Sequence, residues 1–283
     1  NRFRALLGHP RSRQPRNEHS SGNETHVGEF EMIQVIKIGG GVLENEAQRD
    51  AFLRQFAAIE GPKVLVHGGG RLATTMAERL GVETHMIDGR RVTDKETLDI
   101  VTMVYGGLVN KQVVAQLQTM GVNAIGMTGA DGGWMKAVKR PIKNGIDYGY
   151  VGDVVEVNGA HLRTLLDNGL TPVIAPITFS ADGLLLNTNA DTVASETAVS
   201  LAPDVQLTFC FEKAGVLSNP DDESSLIARI TPETYTQLKA DGIISGGMIP
   251  KIDNAFAAIE HGVQSVRITH SNQIQGGTII EQA

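Results

Sequence analysis

The chain has 283 residues, 41% hydrophobic and 20% charged, which suits one or two globular domains and excludes wholesale disorder. Its formal net charge of −7 gives a nucleic-acid role no global electrostatic support, and no apolar run reaches the ~18 residues of a membrane span. The single cysteine, Cys210, cannot form an internal disulfide, so a reduced, cytoplasmic setting is the expectation.

Residues 1–31 stand apart. Arg2, Arg4, Arg11, Arg13 and Arg16 occur there without an acid among the first sixteen positions, and Pro10 and Pro15 break any helix. The stretch reads as a disordered basic arm or an expression remnant, with no secretory signal pattern. From Met32 onward strands and helices alternate. Ile33–Ile38 is a β-branched run that ends in Gly39-Gly40-Gly41. Glu46–Ile59 has helical spacing. Lys63–His67 is a second buried strand and ends in Gly68-Gly69-Gly70, with a helix over Arg71–Leu80. Thr84–Val92 reads as strand and turn, and Asp94–Met120 as a long helical stretch, either continuous or broken at Gly106-Gly107. Val122–Met127 is a strand, and Lys136–Pro141 with Tyr150–Val157 forms a two-stranded excursion. Helices follow at His161–Asn168, Asp191–Leu201, Thr231–Ala240 and Ile249–His261. Strands follow at Thr171–Ile174, Leu184–Asn187, Val205–Phe211 and Gln264–Thr269. This alternation predicts an α/β protein with a largely parallel central sheet.

Function is most legible in the glycine clusters. Glycine lets backbone N–H groups approach an anion, and a helix starting there adds its dipole. Two such turns on neighbouring strands suit a polyphosphate or a transferring phosphoryl group, where one alone would suit mere close packing. Lys37 sits in the otherwise apolar first strand, and a lysine is rarely buried without a partner. Pointed from the strand's carboxyl end, it would meet whatever the glycines bind; on an edge strand it would be a surface residue. Asn187-Thr188-Asn189-Ala190-Asp191 lies between a strand and a helix. Capping that helix needs only one of its three amide or carboxylate side chains, which leaves the others for a ligand and for anchoring lysine. Ser245-Gly246-Gly247 enters a helix with Pro250 in its first turn and Lys251 beside it. A cation is disfavoured at a helix N-terminus, and a bound phosphate would explain it. Arg90 and Arg91 sit in a turn, suited to carboxylates or phosphates. A competing pattern exists. Gly68-x-Gly70-x-x-Ala73 with Asp88 fits the loose dinucleotide fingerprint, although it follows the second strand and leaves Lys37, Asp191 and Lys251 unexplained. No Gly-Lys dipeptide occurs, which excludes a Walker A loop.

Taken in order, Lys-Ile-Gly-Gly at 37–40, Val-His-Gly-Gly-Gly at 66–70, Gly-Arg-Arg-Val-Thr at 89–93, Tyr-Val-Gly-Asp-Val at 150–154, Pro-Val-Ile-Ala-Pro-Ile at 172–177, Asn-Thr-Asn-Ala-Asp at 187–191 and Gly-Gly-Met-Ile-Pro-Lys at 246–251 resemble the amino-acid kinase family, in its acylglutamate branch. The resemblance implies a three-layer α/β/α sandwich over residues 32–283. An N-lobe, about 32–175, would bind the acylated amino acid, and a C-lobe, about 176–283, would bind ATP. It implies phosphoryl transfer from MgATP to the γ-carboxylate of N-acetyl-L-glutamate, an early step of arginine synthesis. Lys37 and Lys251 would neutralise the transferring group, with Asp191 holding both. Gly69, Gly70, Arg91, Asn187 and Asn189 would bind the acyl amino acid. Lys37, Gly40, Glu212, Gly215, Leu217, Ser245 and Lys251 would meet ATP. A carboxylate nucleophile is already ionised at neutral pH, so no general base is required, and Mg²⁺ would ride on ATP and water without a dedicated protein site.

Some positions depart from the family pattern. Glu212 stands where an aspartate is usual and Ala130 where a lysine is common. The latter leaves N-succinyl-L-glutamate as an alternative substrate, with Arg90 or Lys111 as partners for its extra carboxylate. A non-catalytic amino-acid or nucleotide sensor of the same fold is the other alternative. The resemblance further implies a homodimer without arginine feedback, because only seven residues separate the last strand from Gly277. Only small-molecule substrates are expected, with no nucleic-acid or membrane partner.

Overall fold

A computed structural model describes residues 32–87, 90–246 and 248–282. The basic-arm reading of residues 1–31 falls outside them, as does Asp88 of the dinucleotide pattern. Strand β1 (Ile33–Ile38) leads through α1 (Gly40–Glu44) and α2 (Glu46–Ala57) to β2 (Lys63–His67) and α3 (Gly70–Arg79). Strands β3 (His85–Ile87) and β4 (Arg90–Val92) pair antiparallel, and α4 (Lys95–Val101) and α5 (Asn110–Thr119) follow. Then come β5 (Ala124–Met127), β6 (Met135–Lys139), β7 (Gly152–Val157), α6 (Gly159–Asp167), β8 (Thr171–Ile174), β9 (Ile177–Phe179) and β10 (Leu185–Asn187). The remainder is α7 (Ala190–Leu201), β11 (Val205–Phe211), β12 (Arg229–Ile230), α8 (Pro232–Ala240), α9 (Met248–Glu260), β13 (Ser265–His270) and β14 (Thr278–Ile280).

The main sheet has eight strands in the order β12-β14-β13-β11-β1-β2-β8-β5. Its pairings are parallel except for β13 with β14. Alternation along the strands splits the apolar residues between two cores. Ile33, Val35, Val64, Val66, Leu207 and Phe209 face α7 and α9, whose Val193, Ala194, Ile252 and Ala255 complete that layer. Ile36, Ile38, Leu65 and Cys210 face α2 and α5, against Phe52, Phe56, Val113 and Leu117. The sheet is therefore covered on both faces, which is the expected three-layer sandwich. Strand β1 lies at its centre, so Lys37 is no edge-strand surface residue.

Two sequence readings change, and three short strands went unread. Gly106-Gly107 does not break the long helix; Thr102–Val109 winds as a π-helix between α4 and α5. Its wider i→i+5 turns absorb the two glycines without ending the helix. The two-stranded excursion grows into a four-stranded sheet, β10-β9-β6-β7. The short strands β9, β12 and β14 carry too few residues for a visible periodicity.

Candidate active site

Four chain segments converge at the carboxyl end of β1. Lys37 shares the face of Ile33 and Val35 by strand alternation and is only 8% exposed. Its Nζ lies 2.8 Å from Asp191 Oδ1 in the first turn of α7. The ring of Phe211, on β11 beside β1, provides a platform for two cations. Lys37 Nζ is 5.6 Å from the ring centroid and Lys251 Nζ is 3.9 Å from it. Both distances are within cation–π range. Asp191 was expected to hold both lysines. Among the described residues it pairs with Lys37, while Lys251 rests on Phe211.

The entry to α7 separates the three polar side chains by role. Asn189 is the N-cap, its Oδ1 accepting from Asp191 N at 2.9 Å and Thr192 N at 3.1 Å. Asp191 is thereby left to Lys37. Asn187 Nδ2 donates to Thr93 Oγ1 at 3.0 Å, and Asn187 N donates to the Tyr150 carbonyl. These bonds tie β10 to the segments around Thr93 and Tyr150.

The two glycine turns interlock. The Gly68 N–H donates to the Ile38 carbonyl at 3.1 Å. A Cβ on Gly40 would lie 2.9 Å from Gly69 N, and one on Gly69 would lie 2.8 Å from the Tyr105 ring. Any side chain at either position would push the turns apart. Tyr105 belongs to the π-helix, and burial raises the pKa of its phenol, so it stays protonated. Arg91, 9% exposed, uses Nη2 to donate to the Gly70 carbonyl and to Thr74 Oγ1, both at 2.8 Å. Its Nη1 is buried without an acceptor among the described residues. Leaving a charged donor buried and unpaired is costly, and a ligand carboxylate would satisfy it.

Two cavities open on these groups. One, of 200 Å³, is lined by Gly69, Gly70, Arg91, Asn187 and Asn189, the five residues read from the sequence as substrate-binding. The other, of 480 Å³ between α7 and α9, is lined by Asp191, Lys251, Asn189 and Phe211. Arg90 and Asn189 border both. Lys111 borders neither and instead donates to Asn110 Oδ1 and the Gly126 carbonyl, each at 3.1 Å.

The remaining residues read as ATP contacts are less gathered. Gly40 is at the glycine turns. Glu212 is exposed and pairs with Arg71 at 3.5 Å. Gly215 is close-packed: a Cβ there would meet Thr278 Oγ1 at 2.7 Å, and Val216 N donates to that hydroxyl. Leu217 is buried and bridges to Leu226. Ser245 is exposed, its carbonyl accepting from Met248 N at the entry of α9. The sequence reading missed Phe211, Tyr105 and His67. Alternation along β11 does place Phe211 on the face of Lys37, a signal that was available. Nothing local marks the other two. His67 is wholly buried, and desolvation pushes its imidazole down to about 4, so it is neutral.

Residues 32–270 match the model of the amino acid kinase family. The acetylglutamate kinase of Phocaeicola vulgatus is 54% identical over 256 residues, which is 89% of this chain and 99% of that protein. The acetylglutamate kinase of Cytophaga hutchinsonii is 53% identical, covering 87% of this chain and 94% of its own length. Among solved structures, smu.665 from Streptococcus mutans superposes with a TM-score of 0.69 at 30% identity, over 88% of this chain and 98% of that one.

Proposed function

This chain belongs to the amino acid kinase family, and from that premise we propose that it phosphorylates the γ-carboxylate of N-acetyl-L-glutamate at the expense of ATP. It is a phosphotransferase with a carboxyl acceptor, and the step serves arginine biosynthesis. The observation that carries the reading is the Lys37–Asp191 ion pair at 2.8 Å, set at the mouth of two interlocked glycine turns. Phosphoryl transfer asks for positioning and charge neutralisation more than covalent chemistry.

In this mechanism Arg91 Nη1 takes the substrate α-carboxylate, with Asn187 and Asn189 beside it. One γ-carboxylate oxygen attacks the γ-phosphorus of ATP. The bond from that phosphorus to the bridging oxygen breaks, ADP leaves with the electron pair, and an acyl phosphate remains. Lys37 and Lys251 sit on the sides where negative charge spreads, and Asp191 keeps Lys37 from swinging away. The N–H groups of Gly40, Gly69 and Gly70 face the transferred oxygens. ATP arrives as its Mg²⁺ complex and lies toward Glu212, Gly215, Leu217 and Ser245. The two lobes divided near residue 175, a homodimer and a cytoplasmic setting belong to the same proposal. The buried, unpaired thiol of Cys210 supports the last of these.

Trapping the acyl phosphate with hydroxylamine tests the reading. ATP-dependent hydroxamate should form with N-acetyl-L-glutamate. Turnover with N-succinyl-L-glutamate alone would change the acyl group and keep the chemistry. ATP binding without hydroxamate from either substrate would point to a sensor.

A further inference from the structure

The glycine turn after β2 is held from behind by a histidine that lines neither of the two cavities described above. His67 closes β2 on the face of Leu65, toward α5 and away from Lys37. Its Nδ1 lies 2.8 Å from the Gly68 carbonyl oxygen. Its Nε2 lies 3.1 Å from Asn110 Nδ2, and that amide also donates to the Val173 carbonyl at 2.9 Å. A carbonyl oxygen only accepts, so Nδ1 carries the proton and Nε2 accepts from Asn110. Lys111 Nζ donates to Asn110 Oδ1, which fixes the amide's orientation.

This chain of bonds has a directional effect. In a trans peptide the C=O and the next N–H point in opposite senses. Pinning the Gly68 carbonyl toward His67 turns the Gly69 N–H the opposite way, and the turn at Gly40 comes so close there that a Cβ on Gly40 would lie 2.9 Å from the Gly69 nitrogen. Among the described residues no protein acceptor meets that N–H. Glycine resists such a choice least, since its peptide rotates freely. We propose that His67, backed by Asn110, is a positioning residue that locks the Gly68–Gly69 peptide with its N–H aimed at the transferring phosphoryl group. The inference rests on the kinase reading for the identity of that group and on geometry alone for the lock.

Two substitutions separate the roles of the ring nitrogens. The amide of His67→Asn places a donor near the Nδ1 position; that of His67→Gln reaches only the Nε2 position. With wild-type turnover measured first, His67→Gln should lose about 100-fold in kcat, the cost of a misplaced group about 1 Å off. Its KM for the acyl amino acid, set by Arg91, should stay within about threefold. His67→Asn should recover kcat to within about fivefold of wild type, because the donor is restored. Equal kcat losses in both variants, tracking equal losses in Tm, would make His67 a packing residue and overturn the proposal. So would wild-type kcat in His67→Gln. ¹⁵N spectra of the full-length histidine-labelled protein read the lock without turnover. A proton on Nδ1 of His67 is expected, and a proton on Nε2 would overturn it. A wild-type protein that yields no hydroxamate but shows the Nδ1 proton would sink the kinase reading and leave the lock intact.

Discussion

The two sides of the site are built differently. On the proposed acyl-amino-acid side, Arg91 is buried and Asn187 half-buried, and both are hydrogen-bonded within the protein. Arg91 is 9% exposed and spends one nitrogen on Gly70 and Thr74, and Asn187 is tied to Thr93. On the proposed nucleotide side, Glu212, Ser245 and Lys251 are exposed, and Lys251 rests against the Phe211 ring. A small carboxylate recognised by a fixed guanidinium gains from such preorganisation. A polyphosphate carried in by its own metal needs cations that can follow it. The contrast teaches that substitutions on the first side should register in KM and in stability, and those on the second in kcat with the fold untouched.

The strongest test of that contrast is Lys251→Ala, which should cut kcat about 1,000-fold, as for loss of a preorganised charge on a transition state. Circular dichroism and Tm should barely change, and a collapse of Tm would mean that the lysine is structural. Next, Arg91→Lys should raise KM for the acyl amino acid about 100-fold with kcat within about threefold, since an ammonium cannot replace the fork. A kcat loss of the same size in steady-state assays would move Arg91 to the phosphoryl group.

A pH test probes the wall behind the glycine turn. The His67 pKa is depressed from 6.5 to about 4 in the folded chain by desolvation. Between these values the unfolded chain binds a proton that the fold refuses, so stability rises with pH. Urea unfolding should therefore lose about 1.4 kcal/mol per pH unit on going from pH 6.5 toward 4, less whatever the carboxylates add. That slope should shrink in His67→Asn, and an unchanged slope would place the proton elsewhere. Smaller still, Asn189→Ala removes the cap of α7 and should cost about 1 kcal/mol in urea unfolding. Last, Glu212→Gln breaks only an exposed pair with Arg71 and should alter stability by under about 0.5 kcal/mol. A larger loss would show that the nucleotide side is as prebuilt as its neighbour.

Much of this was visible in the chain itself. The glycine triplets, the lysine in an apolar strand and the polar run at 187–191 are local patterns, and each is at the site. One residue does suffice to cap α7, namely Asn189, and Asp191 is left to pair with Lys37, while Asn187 is tied to Thr93. Of the two alternatives at Gly106-Gly107, the continuous helix is the one found, because a π-helix tolerates glycine where packing supports it and puts Tyr105 against Gly69. Gly215 and Leu217, read as nucleotide contacts, are engaged by Thr278 and Leu226. Strand β14, which brings Thr278 there, is too short to announce itself.

By itself, then, the sequence determined the alternating sandwich, the two anion-ready turns and the charged groups that face them. Those depend on backbone geometry and side-chain period, which act over a few residues. Only the tertiary structure decided that Asp191 takes Lys37, that Phe211 seats Lys251, and that His67 finds Asn110, 43 residues away. Such pairings follow from strand order and from which helix covers which face, and no local propensity encodes them.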